Sequence, residues 1–306
     1  MQDKVVITGI SGMIGSALGK LLISEGYEVI GLSRRPEQLA DLADLGVNLI
    51  RWNGSCPDAW LQAASGAYAI INLAGENIAG SRWTENQKNK ILQSRLHAIQ
   101  SVQDAITLAE VKPRLFVQAS ATGYYGINAG QPTDENRDSG EGFLASVCVE
   151  LERETANTDH TRVVVARFGV VLDKHSGALA KMVAPMKFGI CGYPGSGRNY
   201  IPWIHLRDLV NALLFIIRND NPLPVYNLAA PQPVRMKTLV ATAARYKNTL
   251  PCLPVPPFFL AIPFGKEMVE ETLMSSQQII PAALNSQGFS FRFEDIRSAL
   301  ADIFSD

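Results

Sequence analysis

The sequence predicts an α/β fold of the Rossmann type, a doubly wound parallel sheet joined to a smaller, mostly helical C-terminal lobe. Three observations point to it. Short β-branched runs alternate with helical patterns over the first 170 residues, the first run leads straight into a glycine-rich turn, and strands such as Val163-Val164-Val165 are apolar on both faces. Regular βα alternation builds a parallel sheet covered by helices on both sides, which buries its strands twice over.

Taken in order, Lys4–Thr8 reads as a strand and 13–25 as a helix. Glu28–Ser33 is a second strand, 36–45 a helix, 47–52 a third strand and 68–73 a fourth. A long helix is expected over 86–109, a fifth strand over 115–119, a helix near 141–155 and a sixth strand over 163–168. Beyond Val170 proline and glycine become frequent, with helical patterns persisting at 208–218, 237–247 and 293–303. The expected division is a Rossmann domain over 1–170, to which about 201–230 adds, and a second lobe with a short C-terminal domain over 171–306. Loops carried on such a scaffold are where substrate contacts tend to sit.

The 306 residues are 47% hydrophobic, enough for a sizeable core. Basic and acidic residues number 28 and 29 with no long run of one sign, which argues against a nucleic-acid or acidic-membrane partner. No apolar run reaches the roughly 20 residues of a membrane span. No signal-peptide pattern precedes Lys4. A soluble, cytoplasmic monomer or homodimer acting on a small molecule is the expectation. Cys56, Cys148, Cys191 and Cys252 stand far apart and the four histidines have no metal-ligand spacing, so no metal site is expected and the cysteines read as free thiols.

The first strand ends in Gly9-Ile10-Ser11-Gly12-Met13-Ile14-Gly15. This GxxGxxG lies where a dinucleotide fingerprint belongs. Its glycines allow a tight turn, close approach of backbone to a pyrophosphate, and close helix–strand packing. The helix start behind it offers free N–H groups and a positive dipole end to phosphate. The end of the second strand selects the cofactor. An acid there would bind a ribose 2′-hydroxyl, but the chain has Ser33-Arg34-Arg35, whose guanidinium forks suit a 2′-phosphate. NADP(H) is therefore expected, with Arg34 the more direct contact. Trp52 and Asn53, ending the third strand, either border an adenine or simply pack. Leu73-Ala74-Gly75, ending the fourth, lets the chain pass close to the cofactor.

These motifs resemble the extended and atypical short-chain dehydrogenase/reductase superfamily. The likeness sharpens in Asn72-Leu73-Ala74-Gly75-Glu76-Asn77-Ile78, Arg82-Trp83-Thr84, Ser94-Arg95 and Ser120-Ala121-Thr122-Gly123-Tyr124-Tyr125-Gly126. It continues through Gly195-Ser196-Gly197-Arg198, Pro202-Trp203-Ile204-His205 and Asn227-Leu228-Ala229-Ala230-Pro231. Over nearly its whole length the chain is similar to the NAD-dependent epimerase/dehydratase-like subgroup called epimerase family proteins. The resemblance implies that Ser33, Arg34, Trp52, Asn53, Glu76, Arg82 and the Phe168-Gly169 turn also line the NADP site. Asn53 stands where the subgroup has Asp.

Most members of that superfamily work with Tyr-x-x-x-Lys on one helix face: the tyrosine moves the proton, and the lysine lowers its pKa and holds the ribose. None of the eight tyrosines here has lysine four positions later. The slots fall on Phe143 or Leu144 and on Val147 or Cys148, and the usual hydroxyl falls on Ala121. Substitutes are Tyr124 as acid, with Ser120 or Thr122 polarising a carbonyl. The competing reading of Tyr124 and Tyr125 is an aromatic pair packed under the cofactor. His205 and Asp208 read as helix-capping or lobe-bracing groups more than as catalysts. Two functions stay open: an NADP-dependent oxidoreductase or epimerase acting on a small polar compound, a nucleotide sugar among the options, and a non-catalytic NADP(H)-binding regulator.

Overall fold

A computed structural model describes residues 2–249 and 251–305. Its centre is a seven-stranded sheet made of β1 (Lys4–Thr8), β2 (Glu28–Ser33), β3 (Asn48–Arg51), β4 (Ala69–Asn72), β5 (Leu115–Ala121), β6 (Arg162–Phe168) and β7 (Val225–Leu228). All pairings are parallel, and the order is 3-2-1-4-5-6-7. The direction of winding reverses between β1 and β4, and a crevice at that reversal is where α/β sheets take ligands.

The strands alternate their side chains between two cores, as a period of two requires. Val5 and Ile7 face the core shared with α1 (Met13–Ser24), while Val6, Ile70 and Phe116 face the one shared with α2 (Glu85–Leu108). A helix α3 (Phe143–Ala156) precedes β6 and α4 (Leu206–Arg218) precedes β7. Thr8 and Asn72, buried at the ends of β1 and β4, and Gln118, buried midway along β5, form a polar ladder. Thr8 Oγ1 donates to Asn72 Oδ1 at 2.5 Å, and Asn72 Nδ2 donates to Gln118 Oε1 at 2.7 Å. The ladder satisfies polar groups that burial would otherwise penalise, and it locks the three strands in register.

The C-terminal lobe has its own core around Trp203, Leu239, Phe293 and Leu300. His205 and Asp208 tie it to the sheet domain. His205 Nδ1 accepts from the Arg207 N–H and so caps α4, and the two Asp208 carboxylate oxygens accept from the Arg292 and Phe293 N–H groups.

Two expectations need correction. The helix over 36–45 is a 3-10 turn at Pro36–Gln38 and a short helix at Ala40–Asp44, broken at Leu39. Cys191 and Cys252 are disulfide-bonded, with Cα atoms 4.4 Å apart, leaving Cys56 and Cys148 as free thiols. Sixty-one residues separate the pair in sequence. They meet because 192–194 and 253–255 pair as parallel strands in register Gly192↔Leu253, a long-range contact that cysteine spacing does not encode.

Candidate functional site

The turn after β1 is built as its glycines require. Gly9 has φ +67°, and a Cβ on it would lie 3.0 Å from the Leu73 carbonyl carbon. A Cβ on Gly15 would lie 2.4 Å from the Gly9 oxygen, so only glycine lets α1 start against this turn. Gly12 is the N-cap and has no side chain to offer, so the first-turn N–H groups of α1 are left for a ligand.

In front of this turn lies a cavity of about 430 Å³. Gly9, Ser11 and Gly12 wall one side; Ser33 and Arg34 come from the end of β2, Trp52 and Asn53 from the end of β3, and Leu73, Ala74, Gly75 and Glu76 from the end of β4. Sequence reasoning missed three residues on the α2 wall, Ser94, His97 and Ala98. Of these, Ser94 Oγ accepts from the Glu76 N–H at 2.9 Å and so holds the β4 turn. The signal for Ser94 was present in its motif, but nothing in the sequence gave it a partner.

Arg34 is exposed at the rim. Arg51, also missed, donates from Nη1 to the Arg34 carbonyl at 2.9 Å and pairs with Glu37, which steadies the turn carrying Arg34. Trp52 is 4% exposed and its buried Nε1 has no hydrogen-bond partner in the protein. Asn53 Oδ1 is occupied locally, accepting from the Ser55 N–H and Oγ, both at 3.1 Å. The uncapped helix start, the glycine turn and Arg34 together fit an adenine dinucleotide.

Other expected cofactor residues lie outside this cavity. Arg35 is exposed and is not among the residues that line it. Met13 packs toward Gly177, Ile14 against the core and Gly15 inside the turn. Phe168 also packs on the core, and Gly169 is pressed against the Pro202 carbonyl. Arg82 opens instead on a second cavity of about 460 Å³ walled by Pro257, Phe258, Ala261 and Ile262, because the 77–84 loop runs out to the C-terminal segment.

Tyr124, Ser120 and Thr122 do not line the first cavity either; they stand beyond it at the end of β5. Ser120 Oγ donates to Glu152 Oε1 at 2.7 Å, and Thr122 is buried. Glu152 also takes a two-pronged bond from Arg167, Nε to Oε1 at 3.0 Å and Nη2 to Oε2 at 2.7 Å. Burial works against the Arg167 charge, but the hydrogen bonds and charge of Glu152 outweigh it and hold the guanidinium above its usual pKa. Arg167 Nη1 donates to the Tyr125 hydroxyl, which donates to Asn227 Oδ1, each at 2.7 Å. Burial pushes Tyr125 up to about 12, so it stays a neutral structural hydroxyl. Tyr124 is half-buried, with the Arg167 guanidinium 3.5 Å from its ring centroid. Tyr125 is therefore committed to this network, and Tyr124 packs edge-on against it, ring centroids 5.3 Å apart.

The face of α3 turned to this place carries Leu144 and Cys148: a Cβ on Gly123 would touch Leu144 Cβ at 3.3 Å and Cys148 Sγ at 3.9 Å. Burial raises the Cys148 thiol to about 11, which leaves it inert. The start of α3 is capped from far away. Glu271 accepts from the Phe143 N–H at 2.7 Å and the Leu144 N–H at 2.8 Å, across 128 and 127 residues. Among the described residues no cluster of three or more metal-ligating side chains occurs, and no helix is long and apolar enough to cross a membrane.

A parallel sheet with a glycine turn and an uncapped helix at its switch point defines a Rossmann-type α/β protein. The chain belongs to the NAD dependent epimerase/dehydratase family, whose model matches residues 5–229; a domain of unknown function, DUF1731, matches 255–303. It is similar to an epimerase family protein of Mycobacterium leprae, 35% identical over 97% of this chain and 94% of that protein. It is also similar to the epimerase family protein YfhF of Bacillus subtilis, 34% identical over 99% and 98%. The human epimerase family protein SDR39U1, solved with NADPH, superposes with a TM-score of 0.88 at 29% identity over 99% of both chains.

Proposed function

We propose that the protein binds NADP(H) and uses it in an oxidoreductase or epimerase reaction on a small polar carbonyl compound. The observation that carries this reading is the cavity itself, where an uncapped helix start and Arg34 line one space with no acid at the end of β2. In this reading the N–H groups at the start of α1 bind the pyrophosphate, Arg34 on its Arg51-held turn takes the 2′-phosphate, and Trp52 borders the adenine. The nicotinamide, when bound, supplies the hydride. Tyr124, its ring fixed by Arg167, is the proton donor at the edge of β5. Thr122 stands beside it, whereas Ser120 is drawn off by Glu152 and has no catalytic part.

A non-catalytic, redox-sensing NADP(H) binder is the second reading, supported by Leu144 and Cys148 in the Tyr and Lys slots. Titration with NADPH and NADH by nicotinamide fluorescence tests the common part. Tight NADPH binding that Arg34→Ala weakens is expected, and binding of neither nucleotide would sink the proposal. Hydride exchange with a carbonyl library, nucleotide sugars first, then separates the two functions. Turnover that Tyr124→Phe abolishes supports the enzyme; cofactor affinity with no turnover supports the sensor.

A further inference from the structure

Arg95 on α2 is a cation set against the wall of the dinucleotide cavity. It is half-buried, and burial lowers its pKa, yet among the described residues it makes no ion pair. Nη1 donates to the Glu76 carbonyl at 3.0 Å and to the Ile91 carbonyl at 2.8 Å. Nε and Nη2 have no acceptor among the described residues. A guanidinium carries five N–H donors and stays charged, so those left over are open to a ligand's hydroxyl oxygens.

Its placement says which ligand. Arg95 lies directly behind Gly75, a wall of the dinucleotide cavity, and a Cβ on Gly75 would come within 3.0 Å of Arg95 Cζ and 3.3 Å of Nε. Gly75 has no positive φ, so its missing side chain serves space and not backbone geometry. On its other side Arg95 is near enough to Cys148 for their charges to interact, and Cys148 occupies the lysine slot of α3. The guanidinium thus sits between the cavity wall and the vacated lysine position.

We propose that Arg95 takes over the lysine's binding role from the neighbouring helix, donating hydrogen bonds to the hydroxyls of the nicotinamide-side ribose. This rests on the NADP(H) reading above. It makes Arg95 a cofactor-binding residue and leaves proton transfer to Tyr124.

Calorimetric titration of wild type, Arg95→Met and Arg95→Lys with NADPH and with 2′,5′-ADP tests it. The second ligand carries the adenosine and its 2′-phosphate but no nicotinamide ribose. Arg95→Met is expected to weaken NADPH by about tenfold or more, the loss of charge-assisted hydrogen bonds, and to leave 2′,5′-ADP within about twofold. Arg95→Lys should recover part of the NADPH affinity. Equal weakening of both ligands, or of neither, overturns the proposal. Should Arg95→Met fail to fold by circular dichroism, Arg95→Gln makes the same comparison. Wild type binding neither ligand refutes the NADP(H) reading itself, a result distinct from any difference among the variants.

Discussion

The adenosine end of the groove and the end beyond β5 are built in different ways. At the first, Gly12, Arg34, Trp52 and Gly75 each sit in the turn directly after a strand, and their placement needs only that strand and its own turn. At the second, the end of β5 is surrounded by Leu144, Cys148 and Glu152 on α3, Arg167 on β6 and Asn227 on β7, and Glu271 near the C-terminus caps α3. Groups at the first end are mostly exposed and spend little stability. Groups at the second are buried charges and hydroxyls that hold one another, so binding is cheap to alter at one end and the fold is costly to disturb at the other.

The strongest way to break that contrast is Arg167→Met. Removing the guanidinium leaves Glu152 largely buried with one hydroxyl for company, and an unpaired buried charge costs about 3–5 kcal/mol. Urea unfolding should show that loss. An unchanged midpoint would mean that the network does not hold this end together. Arg34→Ala is the mirror case. Its NADPH affinity should fall about tenfold through loss of a bidentate phosphate contact, while the urea midpoint stays within about 0.5 kcal/mol of wild type. A large drop in stability there would erase the distinction between the ends.

A smaller effect sharpens the contrast. Glu271→Gln weakens the cap on α3 without removing its side chain, for a cost of about 1 kcal/mol. Hydrogen exchange should quicken at the Phe143 and Leu144 amides before it does at β1. Equal protection at both sites in the variant would show that the C-terminal segment does not brace the helix.

The sheet was legible because its information is local. β-branched runs, a glycine turn and helical periods each need only a dozen neighbouring residues, and the expected strands match β1 and β2 to the residue and the others to within two. The break at Leu39 was not legible, since Pro36 to Leu45 carries a helical pattern that the turn behind Arg34 overrides. At the site, the sequence by itself determined the phosphate turn, the arginine at the end of β2 and the absence of Tyr-x-x-x-Lys. Only the tertiary structure decided that Arg35 and Arg82 leave the cavity, that Ser120 is bound to Glu152, that Cys191 bonds Cys252, and that Arg95 stands beside the empty lysine slot. Each of these depends on which distant elements pack together, and a buried donor takes its partner from whichever chain segment topology brings near.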